Sequence, residues 1–335
     1  VNLKELLKES KLLTDSIIHE YVGILNDKLK ELSKYNKENT EEIINKKKET
    51  YNLVKNIMSI IKYSGNKDFI LEFKNKLRDR LLESKNVFYE LNTVKKLDFN
   101  DFSSDYIQMV YMVNDIKSSL YMKSLFKKIN IKFSSDKYKN TKISYNSLNN
   151  MYCKTLREFS WKDKSNFESD NIGRFNEPNE LSILLDTYEM FYKKFETHKY
   201  RKLKYNYDRS NVTLDVKFGC DRYSIHMTLL QAMVFMLLNE NGKMTVQYIS
   251  DSLKIPIKRL TYVYNSLIAT KLINKEVLDE DCKNIQLSVN TSWSYAESYA
   301  SIAPLVDRVK KIFEEKEKEK EKINMTNIAS FIINK

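Results

Sequence analysis

The sequence predicts a mainly α protein with a small β component: a helical bundle first, then a small α/β sheet, then a winged helix. Three observations carry that reading. Apolar residues recur at three- and four-residue spacing along most of the chain. Only 5 Gly and 3 Pro occur in 335 residues, so turns enforced by backbone chemistry are few and long helices are favoured. One stretch, Val212 to Met227, switches to alternation on either side of Gly219-Cys220-Asp221-Arg222 and reads as two strands.

In chain order, residues 2–33 place Leu3, Leu6, Leu7, Leu13, Ile17, Tyr21, Ile24, Leu25, Leu29 and Leu32 at helical spacing. Thr40 precedes Glu41, Glu42 and Ile43 as an N-cap does. A second helix follows through Tyr51, Val54, Ile57, Met58 and Ile61, and Gly65 breaks it. A third runs from about Asp68 through Phe69, Phe73, Leu77, Leu81 and Leu82. A fourth, Asp105 to Ser119, puts Tyr106, Met109, Met112, Val113 and Ile116 on one face. Helices of this length with short breaks predict an antiparallel bundle over 1–130. Residues 131–180 are polar and poor in periodicity, with Ser160 to Pro178 the least patterned, and are expected to be a poorly ordered connector.

The α/β element is expected over 181–228. A helix (Leu181, Leu184, Leu185, Tyr188, Phe191, Tyr192, Phe195) leads to a strand at Leu203, Tyr205 and Tyr207 and then to the hairpin. A winged helix is expected over 229–295. It opens with a buried helix from Leu229 to Leu238, ended by Gly242. Thr245 caps a short second helix, and Pro256 starts a third with Leu260, Val263, Tyr264, Leu267 and Ile268 inward. A strand pair follows from Ile273 and at Ile285, Leu287 and Val289. Residues 296–335 hold an exposed helix with the mixed-charge run Glu314–Lys322 and the start of a further helix.

Composition narrows the class. Apolar residues make up 42% of the chain and charged residues 30%, enough for real cores beneath solvated helix faces. No apolar run reaches the roughly 18 residues of a membrane span, and no signal-peptide pattern is present. The chain opens on Val1, which reads as a fragment or processed form. Cys153, Cys220 and Cys282 have no short spacing, which argues against a disulfide framework and for a reducing compartment, the cytoplasm or nucleus. The net charge of +12 fits either plain solubility or an acidic partner.

Four separated patches resemble the C-terminal half of the cullins, the scaffolds of multisubunit ubiquitin ligases. They are Lys67-Asp68-Phe69 with Phe73, Leu77 and Arg80-Leu81-Leu82; Met112 with Asp115 and Ser118; Phe191-Tyr192, His198 and Arg201-Lys202-Leu203; and Leu230-Gln231-Ala232 with Leu237 and Asn239-Glu240. Tyr205 stands where the family usually has Trp, and Arg78-Asp79 replaces the usual Ala-Lys, marking a divergent member. The resemblance implies a four-helix bundle, an α/β element that accepts a strand from a RING-box protein, a first winged helix, and a second one cut short. It implies a non-catalytic scaffold that brings a ubiquitin-conjugating enzyme to substrate. It also implies modification by a ubiquitin-like modifier on a lysine that follows an apolar run like Ile328–Ile332. Ile333 then falls at the acceptor position and Lys335 two residues later.

Catalytic chemistry is hard to assemble from these residues. His19, His198 and His226 lie in three different segments, and a Cys220–His226 nucleophile pair would lack an orienting third group. No zinc-ligand spacing or phosphate-binding glycine loop occurs, so no intrinsic cofactor is expected and any zinc belongs to the RING partner. The open edge of the sheet is the stronger candidate, with Leu203, Tyr205, Val212, Leu214, Val216 and Phe218 as the RING-partner interface. Lys193, Lys194, Lys199, Arg201, Lys202 and Lys204 form a basic cluster that is either a solvated face or a patch for an acidic partner. The alternative function is nucleic-acid binding by the winged helix, with Lys254, Lys258 and Arg259 near the start of its third helix.

Overall fold

A computed structural model of the chain describes residues 11–34, 41–64, 68–83, 88–96, 103–128, 150–161, 174–277 and 285–303, with most positions from 305 to 315. The chain divides into two compact units, 1–132 with 144–170, and 133–143 with 171–335.

The first unit is helical: α1 (Lys11–Lys34), α2 (Glu41–Ser64), α3 (Asp68–Glu83), α4 (Phe88–Lys96), α5 (Ser103–Lys128) and the single turn α6 (Glu158–Trp161). Helix α1 lies against α2 and α3, and α3 lies against α5. Their shared core holds Leu25, Leu29, Val54, Phe73, Leu77, Leu81, Met109, Met112, Val113 and Ile116, the positions that helical spacing singles out. The short α4 has no clear apolar period, because two of its buried positions are Glu90 and Thr93. Each is satisfied locally. Arg80 donates to Glu90 through Nε (2.7 Å) and a terminal nitrogen (3.0 Å), and its other terminal nitrogen reaches Asn26 Oδ1 at 2.9 Å. Thr93 Oγ1 donates to the Tyr89 carbonyl at 2.9 Å.

Two expectations are corrected here. The fourth predicted helix does not end at Ser119 but continues to Lys128, burying Met122 and Phe126. The stretch 131–180, expected to be poorly ordered, is held in place at 150–161 and 174–180. Asp115 is the main fixing point for the first of these. Its Oδ2 accepts from the Arg157 backbone N–H at 2.8 Å and from the Trp161 indole N–H at 3.0 Å, and its Oδ1 faces Arg157 Nε at 3.2 Å. Ser119 Oγ accepts the Thr155 N–H at 2.9 Å while donating to the Asp115 carbonyl at 2.8 Å. Lys154 Nζ reaches the carbonyls of Leu81 and Leu82 at the end of α3. A few well-satisfied polar groups therefore order a segment whose composition looks like a linker.

The second unit starts at an anchored strap, Arg174–Pro178. Phe175 is buried, Tyr207 donates to Glu177, and Asn176 donates through its backbone to the Leu253 carbonyl and through its side chain to that of Ser252, both at 3.0 Å. Helix α7 (Asn179–Lys193) follows, then short turns at Glu196–His198 and Tyr207–Arg209. The hairpin is β1 (Asn211–Phe218) and β2 (Asp221–Thr228), antiparallel from Asn211↔Thr228 to Phe218↔Asp221. Gly219 opens the two-residue turn at φ +59°, a conformation that suits glycine at the first position of a type II′ turn.

Helix α8 (Leu229–Asn241) is buried almost all round. Thr228 and Gln231 form its capping box, and the Gln231 amide also donates to Ser266 Oγ at 2.8 Å and to the Ile302 carbonyl at 3.3 Å. Gly242, at φ +79°, ends the helix. Then come β3 (Met244–Thr245), α9 (Val246–Leu253) capped by Thr245, α10 (Ile257–Ala269), β4 (Ile273–Val277) and β5 (Ile285–Val289). These three strands form one antiparallel sheet in the order β3-β5-β4. Leu260, Val263, Tyr264 and Leu267 of α10 are buried as expected.

Two further expectations are revised. Leu203, Tyr205 and Tyr207 form no strand. Tyr205 instead donates its hydroxyl to the Leu185 carbonyl at 3.2 Å, and Tyr207 opens a 3-10 turn. The third strand of the hairpin sheet comes from further along. β6 (Tyr299–Ser301), in the region expected to begin an exposed tail, pairs parallel to β2 and gives the order β1-β2-β6. The segment leading to β6 carries Trp293, whose ring lies 5.3 Å from Phe218 and 5.1 Å from Tyr223, and whose indole N–H donates to the Thr270 carbonyl at 3.0 Å.

Candidate protein-docking site

The hydrogen-bond phase of the hairpin decides which backbone groups are open. In an antiparallel pair, residues alternate between those bonded to the partner strand and those whose N–H and C=O point away from it. On β2, the Ser224 N–H donates to Ser298 and the His226 carbonyl accepts from Ile302, each at 2.8 Å. Ser224 and His226 therefore face β6, and their register partners Asp215 and Thr213 face the other way. Asn211 and Lys217 share that phase. Strand β1 is the last strand of its sheet, and among the described residues nothing pairs with its outer edge. Four residues of one strand thus present free donors and acceptors in line.

The two faces of β1 differ in the same alternating way. Val212, Leu214, Val216 and Phe218 turn toward the core but stay half-buried, while Ile225 and Met227 in the neighbouring strand are both 0% exposed. The inner face of β1 is therefore covered on one side only. On the solvent face, Ser224 Oγ donates to Asp215 Oδ1 at 2.6 Å, and Thr213 Oγ1 lies 3.3 Å from His226 Nδ1. Apolar alternation on an uncapped strand is the geometry that strand addition uses.

Residues 156–299 match the family model for the cullin alpha+beta domain. This part of the chain is similar to the cullin alpha+beta domain. No curated protein matches the chain. The matched stretch runs from α6 to the first residue of β6 and so contains the whole hairpin. Of the four patches that resemble the family, those at 191–203 and 230–240 lie inside it, and those at 67–82 and 112–118 lie outside.

Within the matched stretch, the sequence-derived interface residues separate into two sets. Val212, Leu214, Val216 and Phe218 share the inner face of β1. Leu203 and Tyr205 are off the sheet, and Tyr205 is half-buried beneath the Arg174 guanidinium, 5.4 Å from its ring centre. The basic residues Lys193, Lys194, Lys199, Arg201, Lys202 and Lys204 are all exposed along one short stretch. Lys193 meets Glu189 at 2.6 Å and Lys199 meets Glu196 at 3.9 Å, so part of this charge is balanced internally. The His198 ring stacks on Tyr192 at 4.2 Å, and burial, then the nearby Arg201 charge, lower its pKa below the ordinary 6.5.

The alternative surfaces are occupied or dispersed. Arg259 of α10 pairs with Asp208 and lies over the Phe175 ring, and Tyr262 packs edge-on against Phe313 at 5.7 Å. That face of the helix is engaged by its own chain. Cys220 sits in the hairpin turn and His226 six residues along β2, roughly 20 Å away at strand rise, so the hairpin does not bring this pair together. Desolvation pushes the Cys153 thiol up to about 12, far from a reactive thiolate. Among the described residues, no group of three or more His, Cys, Asp or Glu is placed to hold a metal, and no helix is long and apolar enough to cross a membrane. Cys282 and Lys335 lie outside the described residues, as does the charged run apart from Glu315.

Proposed function

We propose that this chain is the non-catalytic scaffold of a cullin-RING ubiquitin ligase, and that it docks a RING-box protein by adding a strand of that protein to the outer edge of β1. The observation that carries the proposal is the phase of the hairpin: Asn211, Thr213, Asp215 and Lys217 hold their backbone groups outward beside a half-covered apolar face. A guest strand would satisfy the edge and cover Val212, Leu214 and Val216 together. The exposed basic stretch at 193–204 would then attract the acidic surface of a ubiquitin-conjugating enzyme, raising encounter rate more than affinity. Any zinc in the assembly would belong to the RING partner. The rate gain would be one of proximity, with no group of this chain reacting.

In this reading α8, α9, α10 and strands β3 to β5 make a winged helix used for packing. Nucleic-acid binding is the weaker reading, because Arg259 and Tyr262 already have partners.

Co-expression with a RING-box protein should yield a stable one-to-one complex, and duplex DNA should show negligible salt-sensitive binding. Failure to form the complex, or tight duplex binding without it, would overturn the assignment.

A further inference from the structure

Three closely spaced cross-strand rows of the hairpin, Thr213–His226, Asp215–Ser224 and Lys217–Arg222, are not alike. Thr213 and His226 are in contact, and Asp215 and Ser224 share a hydrogen bond. The third row sets Lys217 directly opposite Arg222, in the same phase, where side chains of paired residues come closest. Like charges in that position are destabilising. Both side chains are exposed, and among the described residues neither meets a carboxylate. Two cations therefore converge at the turn end of the edge that has no neighbour, while the next row presents Asp215, of which one oxygen is already used by Ser224.

Resting on the docking proposal above, we infer that Lys217 and Arg222 form a carboxylate clamp that selects and registers the guest strand. The guest places an acidic side chain opposite Lys217, an apolar one inward over Val216, and a hydrogen-bond donor or cation opposite Asp215. Strand pairing through backbone groups is blind to sequence and can slip by two residues without exposing apolar side chains. A charge row at one end penalises such a slip. The partner this fits is a short amphipathic strand with alternating apolar residues and an acidic and a donor side chain two residues apart.

The test uses the full chain co-purified with a RING-box protein and compares the parent with two chain variants by competition binding and native mass spectrometry. Lys217→Glu with Arg222→Glu should weaken assembly about ten-fold or more and reverse its salt dependence. Changing the acidic residues of the partner's docked segment to Lys one at a time should restore binding to the double variant at one position only. Thr213→Pro blocks the edge without removing a hydrogen bond that the sheet uses, and should abolish assembly. If Thr213→Pro abolishes assembly but the charge variant binds as tightly as the parent, the clamp is wrong and the docking edge stands. The same holds if the charge variant only self-associates, which would make the pair a guard against edge pairing. If Thr213→Pro binds normally, the docking reading falls and the clamp with it.

Discussion

Single residues explain why the recognisable patches need the side chains they have. Asp115 stands in a short patch outside the matched domain, and it collects two N–H donors and a guanidinium that fasten 150–161 to α5. Gln231 caps α8 and at the same time reaches α10 and the chain beyond β6. Neither role is readable from spacing, because the partners are 35 to 71 residues away. His198 offers a test with a definite sign. Its folded-state pKa is depressed, so on acidification the unfolded chain takes up its proton first. The stability linked to it is present above the ordinary value of 6.5 and declines as pH falls through that value. In denaturation series from about pH 7.5 to 5, the parent should lose stability relative to His198→Phe as pH drops. A constant difference, or one with the opposite slope, would mean the ring is not desolvated.

At the scale of elements, the hydrogen-bond phase of β1 makes neighbouring positions unequal. The Leu214 N–H serves the pairing with β2, whereas the Thr213 N–H points outward. Leu214→Pro should therefore cost about 3 kcal/mol or more, while Thr213→Pro stays within about 1 kcal/mol of the parent in chemical denaturation of the chain alone. Equal losses would show that the phase is misassigned. The hairpin, α8 and the capped α9 were legible in the sequence because each has a strong local signal: alternation about Gly219, an unbroken apolar run, a threonine cap. Helix α4 was not, since its inward Glu90 and Thr93 interrupt the apolar period. The strand expected at 203–207 failed for the converse reason. Leu203, Tyr205 and Tyr207 alternate as a strand does, but two of them are anchored by their hydroxyls, to the Leu185 carbonyl and to Glu177. β6 is only three residues long, with one buried side chain, Ala300, and gives no periodic signal at all.

For the molecule as a whole, each of the two units has an apolar core of its own. Two cores predict departures from two-state unfolding. Asp115→Ala removes the acceptor for a buried indole and a backbone N–H and should cost about 3 kcal/mol. Gln231→Leu leaves buried Ser266 and the Ile302 carbonyl without their donor and should cost about 2 kcal/mol. Hydrogen exchange followed by mass spectrometry should localise the first loss to peptides of 11–161 and the second to peptides of 174–303. A uniform loss in either variant would mean that the chain unfolds as one body. The candidate site was half legible at this scale: the alternating strand and its apolar face stand out in the sequence, but which edge stays open depends on where residues 299–301 return to the sheet.

That return path has a mechanical side. Trp293 rests on Phe218 and Tyr223 at the turn of the hairpin while its N–H is held by Thr270 at the end of α10. One indole thus rivets the tip of the ribbon to the module beside it, where a longer two-stranded ribbon standing alone would sway. A ribbon pinned at its tip keeps its outer strand pointing one way, so the tightness of this joint sets how sharply that edge is aimed.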